Sequence, residues 1–520
     1  MSEFIDYGNC DFESIRNTNF IDKTGLLNVL NANLGTDKRF MCISRPRRFG
    51  KSIAAQMAYA YYDRSSDSRS LFEGLEISQS PDYEKHLNKY PTIFIDWNRF
   101  AATKKNDIVA VAQKKIVADL KRSYPFLKEE NNLFDALMEI NNTNGDRFIM
   151  IIDEWDMLVR DEDVQTRDEY VNFLRSMFKA NTANKIFLLV YMTGILPIIK
   201  YETQSAMNNF REYSVINAGK TAKYYGFTKE EVKNLCEEND MDLAQMEHAY
   251  DGYIIGDQKS MFNPNSVMQA IDNRNYNSYW SKTASYTFIE PYIHIDEETV
   301  KPKIEELLNG GVVTIETTSF RNDMRHIENF DDVFTLLVHL GYLSYNPETN
   351  GVMIPNTEVA GEFRITIAQS GWGWISRAMA NSLTLVEKTI CLDSQYIAKS
   401  FDDCRPEASS FININSEAAM AVAIRFAYYA AVKDYKIFHE LPTGKGFADM
   451  VFVPVNKPHR PAIVVELKYD QSADGAIAQI KRKDYPKSLK GFARRIILVG
   501  INYNKKESKH EVQLEVIEGM

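Results

Sequence analysis

Short apolar runs separated by longer amphipathic stretches dominate the first 225 residues. Four of them, Phe40–Ser44, Pro91–Asp96, Arg147–Asp153 and Lys185–Thr193, are rich in Ile, Val, Phe and Leu. Such runs, alternating with helical patterns, predict a parallel sheet with helices on both faces, and hence an α/β fold. From residue 226 the pattern changes. Thr228 with Glu231 three residues on predicts a capped helix start, and Asp331–Leu340 ends at Gly341 as helices commonly do. Residues 226–365 therefore read as a helical or winged-helix-like connector, and 366–410 as a linking segment whose pattern decides little. A helix over Ser416–Lys433 leads into strands at Phe438–Glu440, Phe447–Val455 and Ala462–Tyr469. A helix near 472–484 and a last strand at Arg494–Val499 complete a small α/β domain over 411–520.

At 520 residues the chain exceeds one ordinary core, so several domains are expected, with residues 1–225 as the first. Apolar content of 44% with 25% charged residues describes a soluble globular protein. No apolar stretch is long enough for a membrane span, so no membrane association is expected. The start, Met1-Ser2-Glu3-Phe4-Ile5-Asp6, has no basic region followed by an apolar core and predicts no signal peptide. Five scattered cysteines suit reduced thiols in a cytoplasm and argue against zinc. The net charge of −10 argues against a passive nucleic-acid coat but not against an enzyme with local basic clusters. Two clusters exist: Arg45-Pro46-Arg47-Arg48, and Lys481-Arg482-Lys483 with Lys487, Lys490, Arg494 and Arg495. The bland reading of each is a solvated face, and for the second, lysine-rich cluster it stands level with the functional one.

Arg45-Pro46-Arg47-Arg48-Phe49-Gly50-Lys51-Ser52 follows the first strand and opens a helix-compatible stretch. Strand, loop and helix are the setting in which backbone N–H groups curl around phosphates. A lysine then reaches the β and γ oxygens, and a hydroxyl holds Mg²⁺. Arg45 stands where the usual pattern has its first glycine. The apolar run ending at Asp153-Glu154 supplies the complementary half: Asp153 orders the magnesium shell and Glu154 polarises the attacking water. The strand ending at Thr193 is expected beside it, with Thr193 placed to sense the γ-phosphate. The bland alternative is a strand end capped by acidic residues.

The chain resembles the bacterial AAA-ATPase-like family whose members carry a C-terminal nuclease-like domain. The resemblance rests on Phe20-Ile21-Asp22-Lys23-Thr24, Ser44–Ser52, Ile152-Asp153-Glu154 and Thr193-Gly194-Ile195. It continues through Ala249-Tyr250-Asp251-Gly252-Tyr253, Phe262-Asn263-Pro264 and Asn356-Thr357-Glu358-Val359. In that family the arginine-rich loop without its first glycine is usual. The resemblance implies ATP as ligand, with Lys51 and Ser52 on phosphate and magnesium, Asp153 on magnesium and Glu154 on the water. It also lets the loop arginines contact phosphate or a neighbouring subunit of a homo-oligomer; no arginine finger is identifiable.

In Val464-Val465-Glu466-Leu467-Lys468, strand alternation puts Glu466 and Lys468 on one face. Two charges within so apolar a run need a reason, either an edge strand with a solvated face or a site. Asp449 lies on the strand expected next to it. Asp449 and Glu466 would bind Mg²⁺ or Mn²⁺ through hard oxygen ligands. The metal would lower the pKa of a water, and Lys468 would orient that water or stabilise the transition state. The spacing resembles the PD-(D/E)xK nuclease superfamily, which implies a restriction-endonuclease-like domain; Ala448 replaces the family's proline. Gln479 stands where that superfamily often has a site-facing glutamine. Tyr485 continues the pattern, and Glu417 is a further candidate carboxylate.

The leading expectation is an ATP-dependent nuclease cutting nucleic acid, DNA before RNA, with family analogy pointing to mobile-element or anti-phage contexts. The alternative is a nucleotide-switched scaffold that binds nucleic acid or a partner without cutting.

Overall fold

The computed structural model describes residues 3–6, 8–100, 107–128, 132–160, 163–179, 182–198, 207–280, 297–308, 310–318, 320, 327 and 329–369. It further describes 373–403, 424, 427–428, 431, 434–442, 447–455, 459–483, 489 and 493–518. The chain divides into two compact units. The first comprises Met1–Tyr279, Ile295–Glu297 and Val312–Pro355; the second comprises Trp280–His294, Glu298–Gly311 and Asn356–Met520.

The first unit is built on five parallel strands: β1 (Phe40–Ser44), β2 (Thr92–Asp96), β3 (Phe148–Asp153), β4 (Phe187–Gly194) and β5 (Arg211–Tyr213). Their spatial order is β2-β3-β4-β1-β5. Alternation sends Phe40, Cys42, Met150 and Ile152 into one apolar cluster, with the helices of residues 108–123, 133–144 and 164–178. Met41, Ile43, Ile149 and Ile151 go into another, on the side of α1 (Lys51–Tyr62). The expected sheet, covered on both faces, is therefore present. β5 escaped the sequence pattern because its three residues carry no apolar run.

The rest of this unit combines short helices with two small sheets. A small antiparallel sheet of β6 (Phe227–Thr228), β7 (Tyr253–Ile255) and β8 (Gln258–Phe262) packs with α2 (Lys229–Asn239) and α3 (Pro264–Asn273). The capping box of Thr228 and Glu231 opens α2, and Asn263 accepts the Asn265 and Ser266 N–H groups ahead of Pro264 to open α3. A second small sheet joins β9 (Val313–Thr314), β10 (Ser344–Asn346) and β11 (Gly351–Met353), with a helix over Phe330–Leu340 between β9 and β10. Gly252, at φ +105°, is required: a Cβ there would lie 1.9 Å from the Pro355 carbonyl oxygen.

The second unit carries a mixed sheet in the order β12 (Tyr435–Pro442), β13 (Phe447–Pro454), β14 (Ala462–Tyr469), β15 (Arg495–Asn504) and β16 (Lys509–Glu518). Only β14 and β15 run parallel, joined across α4 (Ala473–Arg482). The strand expected to end at Val499 continues to Asn504 and turns into β16. The linking segment contributes two helices, Gly373–Ile390 and Ser394–Asp403. Leu385, Val386, Ile397 and Phe401 lie in the same apolar cluster as Phe452, Val465 and Val499, on one face of this sheet. The expected helix over Ser416–Lys433 lies largely outside the described residues.

Candidate functional site

Residues Arg47 to Ser52 line a cavity of about 1010 Å³ in the first unit. Gly50, at φ +85°, turns the chain into α1, whose first-turn N–H groups are the natural seat of an anion. Ser52 is exposed at this turn. The Lys51 side chain is buried and its Nζ donates to the Pro46 carbonyl oxygen at 2.8 Å. Burial lowers its pKa, against the pull of Glu154, Asp153 and Asp156. Arg48 holds a left-handed conformation, φ +66°, and donates to the Tyr279 carbonyl at 2.6 Å. Phe49 is buried edge-on against Tyr253, and its carbonyl accepts the Gly226 N–H.

Arg45 departs from its expected role. Its side chain is fully buried and turned into the protein, donating to the carbonyls of Ser44 and Tyr213 and to Thr221 Oγ1, each at 2.8 Å. The guanidinium lies 5.1 Å over the Tyr225 ring, and burial pulls its pKa down to about 10. Its backbone N–H donates to Gly194. Arg45 thus ties the loop to the sheet instead of presenting charge to phosphate.

Asp153 ends β3, buried, and Glu154 follows at φ +52°. Thr193, expected to sense phosphate, is buried away from the cavity lining and donates its hydroxyl to Asp153 Oδ1. It orients Asp153 from β4, which lies between β1 and β3. Glu154 lines the cavity and pairs with Arg160 at 3.0 Å. Arg160 also reaches Asp156 at 3.1 Å, whose Oδ2 accepts the Ile195 and Leu196 N–H groups. Burial and its acidic neighbours raise the Glu154 pKa, while Lys51 and Arg160 oppose them. A side chain at Gly194 would collide with Asp156 and Trp155 at 2.6 Å, which explains a glycine there. Nothing in the sequence spacing marks Arg160; only the fold returns it to Glu154.

In the second unit Asp449, Glu466, Lys468 and Gln479 converge on the α4 face of the sheet. β13 and β14 are antiparallel with Met450 opposite Val465, which sets Asp449 beside Glu466. Asp449 Oδ2 accepts the Leu467 N–H at 2.7 Å. Glu466 and Lys468 are buried, and Lys468 Nζ lies 3.5 Å from Glu466 Oε1 and 2.9 Å from the Leu467 carbonyl. Gln479 donates its amide N–H to the same Oε1. Glu466 Oε2 is buried without a hydrogen-bond partner. Burial first, and then Asp449, raise the Glu466 pKa to about 7. An orphaned carboxylate oxygen beside a second carboxylate is the donor set a hard divalent cation takes, so these residues fit such an ion. Among the described residues no group of three or more His, Cys, Asp or Glu stands ready for a metal.

Gly500 makes this arrangement possible. A Cβ there would lie 2.4 Å from the Ala473 carbonyl, so only glycine lets α4 approach β15 closely enough to deliver Gln479. Of the basic cluster, Lys481 pairs with Glu515 at 2.6 Å, while Arg494 and Arg495 are exposed. Glu417, Tyr485, Lys487 and Lys490 lie outside the described residues.

Comparison with known proteins gives two family matches. Residues 6–203 match a family described as predicted AAA-ATPase, and residues 418–513 match the PD-(D/E)XK nuclease superfamily. An uncharacterized protein in the vnfD 5′ region of Azotobacter chroococcum mcd 1 is 22% identical over 301 residues, 56% of this chain. The match spans 55% of that relative, about half its length. Among solved structures, the Aeropyrum pernix ORC2 protein (ADPNP–ADP complexes) aligns at 12% identity and TM-score 0.31, over 68% of this chain and 96% of its own. AMPPCP-bound DnaA from Aquifex aeolicus aligns at 11% identity and TM-score 0.21, over 56% and 69%. Similarity at that level carries no argument about what this chain does.

Proposed function

Because the chain carries an AAA-ATPase-like domain and, towards its C-terminus, a PD-(D/E)xK nuclease-superfamily domain, we propose that it couples ATP to metal-dependent phosphodiester cleavage of nucleic acid. The observation that carries this reading is the buried, unpartnered Oε2 of Glu466 beside Asp449, with Lys468 and Gln479 in place. Asp449 and Glu466 would hold Mg²⁺ or Mn²⁺, which when bound supplies an activated water and charge neutralisation at the scissile phosphate. Lys468 presents an ammonium where charge develops on the phosphate. In the first unit, Arg47 to Ser52 would hold the ATP phosphates, Ser52 and Asp153 the magnesium, and Glu154 the attacking water. DNA is the preferred substrate and the cytoplasm the preferred location; a mobile-element or anti-phage context rests on family analogy.

The test is cleavage of labelled DNA and RNA with Mg²⁺ or Mn²⁺, with and without ATP, in wild type, Lys468→Ala and Lys51→Ala. The proposal requires metal-dependent cutting abolished by Lys468→Ala and changed by ATP only when Lys51 is intact. The sparse two-carboxylate donor set favours a second reading, a nucleotide-switched scaffold that binds nucleic acid or a partner. Absence of cutting under every condition, with ATP-dependent nucleic-acid binding, would support it.

A further inference from the structure

Arg48, three residues after the inward-turned Arg45, makes a contact across 231 positions of sequence: its Nη1 donates to the Tyr279 carbonyl oxygen at 2.6 Å. Arg48 is exposed and borders the same cavity as Lys51. Its backbone is left-handed, at φ +66°, a conformation that a residue other than glycine keeps where its surroundings impose it.

Tyr279 closes a segment, residues 274–279, that follows α3 and belongs to no helix or strand. Side chains do most of its stitching. Tyr276 Oη accepts the Asp242 N–H at 2.8 Å, and Tyr250 Oη donates to the Asn277 carbonyl at 2.7 Å. The Tyr279 hydroxyl donates to Asn275 Oδ1, which also accepts the Asn277 N–H at 3.2 Å. One amide oxygen therefore ties Tyr279 to the middle of the segment. At Trp280 the chain passes into the second unit. Arg48 thus links the phosphate loop to the last residues before that crossing.

The two oxygens within reach of this guanidinium are unequal partners. A carbonyl offers one neutral oxygen. A phosphate offers paired charged oxygens that match the planar fork and accept two parallel charge-assisted bonds. A triphosphate seated at the N-terminus of α1 places its charge in the cavity that Arg48 already borders. To present its fork to that anion the guanidinium turns, and Nη1 leaves Tyr279.

We propose that Arg48 is a nucleotide-dependent clamp. Before nucleotide binds it holds Tyr279; ATP draws the guanidinium onto phosphate and frees residues 274–279, the segment by which the chain leaves the first unit. This rests on the nucleotide-binding reading above and adds how that site signals to the rest of the chain. By linkage, a partner that pulls the segment free tightens ATP binding by the same factor.

The test is hydrogen–deuterium exchange of the full chain, followed in peptides covering 274–279, with and without saturating Mg²⁺ and β,γ-imido-ATP. Calorimetry on the same samples establishes binding. In wild type, nucleotide speeds exchange of these peptides by about tenfold, as expected for the loss of one hydrogen bond from a charged donor. Arg48→Ala exchanges at the faster rate without nucleotide, and nucleotide adds nothing, although it still binds through Lys51 and the loop. Slow exchange in β3 and β4 of the variant shows that it is folded. An arginine that only braced the loop would also raise the basal rate on removal but would leave the response to nucleotide in place, and that result overturns the clamp. Nucleotide-bound wild type with unchanged exchange at 274–279, or Arg48→Ala with the basal rate of wild type, overturns it too. Failure of wild type to bind the nucleotide would remove the nucleotide reading itself, and the clamp with it.

Discussion

Gln479, on α4, donates its amide N–H to Glu466 Oε1 on β14 and leaves Oε2 of that carboxylate without a partner. The glutamine fixes the rotamer of a buried acid whose other oxygen is available to a cation. Outer partners of this kind tune metal affinity without touching the metal. Gln479→Leu is therefore expected to weaken Mg²⁺ or Mn²⁺ binding, and cleavage at subsaturating metal, by about 10- to 100-fold. Titrating cleavage against metal concentration checks it: recovery of activity at high metal identifies a positioning role.

The raised pKa of Glu466, about 7, makes metal binding pH-dependent. Below that pH the metal-free carboxyl is protonated, and a cation must displace the proton. Affinity is expected to rise by about tenfold per pH unit up to about pH 7 and to level above it. Asp449→Asn removes a repelling charge, so the Glu466 pKa falls. The metal-free protein shows the opposite trend in stability. The folded pKa lies above the usual 4.5, so this group's contribution is fully present below about pH 4.5 and is lost as pH rises through about 7. Manganese titrations across pH, followed by proton release, read the first effect. Melting temperatures without metal read the second.

Gly500 sits under α4 where no side chain fits. Gly500→Val is expected to push α4 from the sheet, detach Gln479 from Glu466 and destabilise the second unit by about 1–3 kcal/mol. Cleavage should fall more than ATP hydrolysis does. Equal loss of both would mean global unfolding instead.

Glu154 and Arg160 separate binding from hydrolysis. Glu154→Gln is expected to retain ATP binding and lose turnover by about 100- to 10,000-fold. Arg160→Ala releases Glu154 and leaves buried Asp156 without its cation, so turnover and the stability of the first unit are both expected to fall. Single-turnover assays beside nucleotide-binding measurements distinguish the two variants.

Arg45→Met tests a structural assignment. Loss of its hydrogen bonds to Tyr213 and Thr221 is expected to destabilise the first unit by about 1–3 kcal/mol. Tripolyphosphate affinity should change little, whereas a phosphate-contacting arginine would weaken it strongly. Urea midpoints and calorimetry decide between these outcomes.

Local pattern carried much of this protein. The apolar runs at Phe40–Ser44 and Phe148–Asp153, and the β-branched run within Ala462–Tyr469, are buried strands, because such runs are stable where both faces of a sheet are covered. Thr228 with Glu231 caps a helix because the two satisfy each other's backbone donors within one turn. The pairing of Glu466 with Lys468 was legible because charge inside a β-branched run is costly and conspicuous. What the tertiary structure alone decided are relationships between residues distant in sequence. Arg45 reads as a phosphate contact until Tyr213, Thr221 and Tyr225 surround it. Thr193 reads as a sensor until the placement of β4 beside β3 gives its hydroxyl to Asp153. β5 and β16 escaped notice because a short or half-exposed edge strand has weak hydrophobic periodicity. Burial and hydrogen-bond partners are properties of packing, and packing is set by which strands become neighbours, a matter that no local window of sequence encodes.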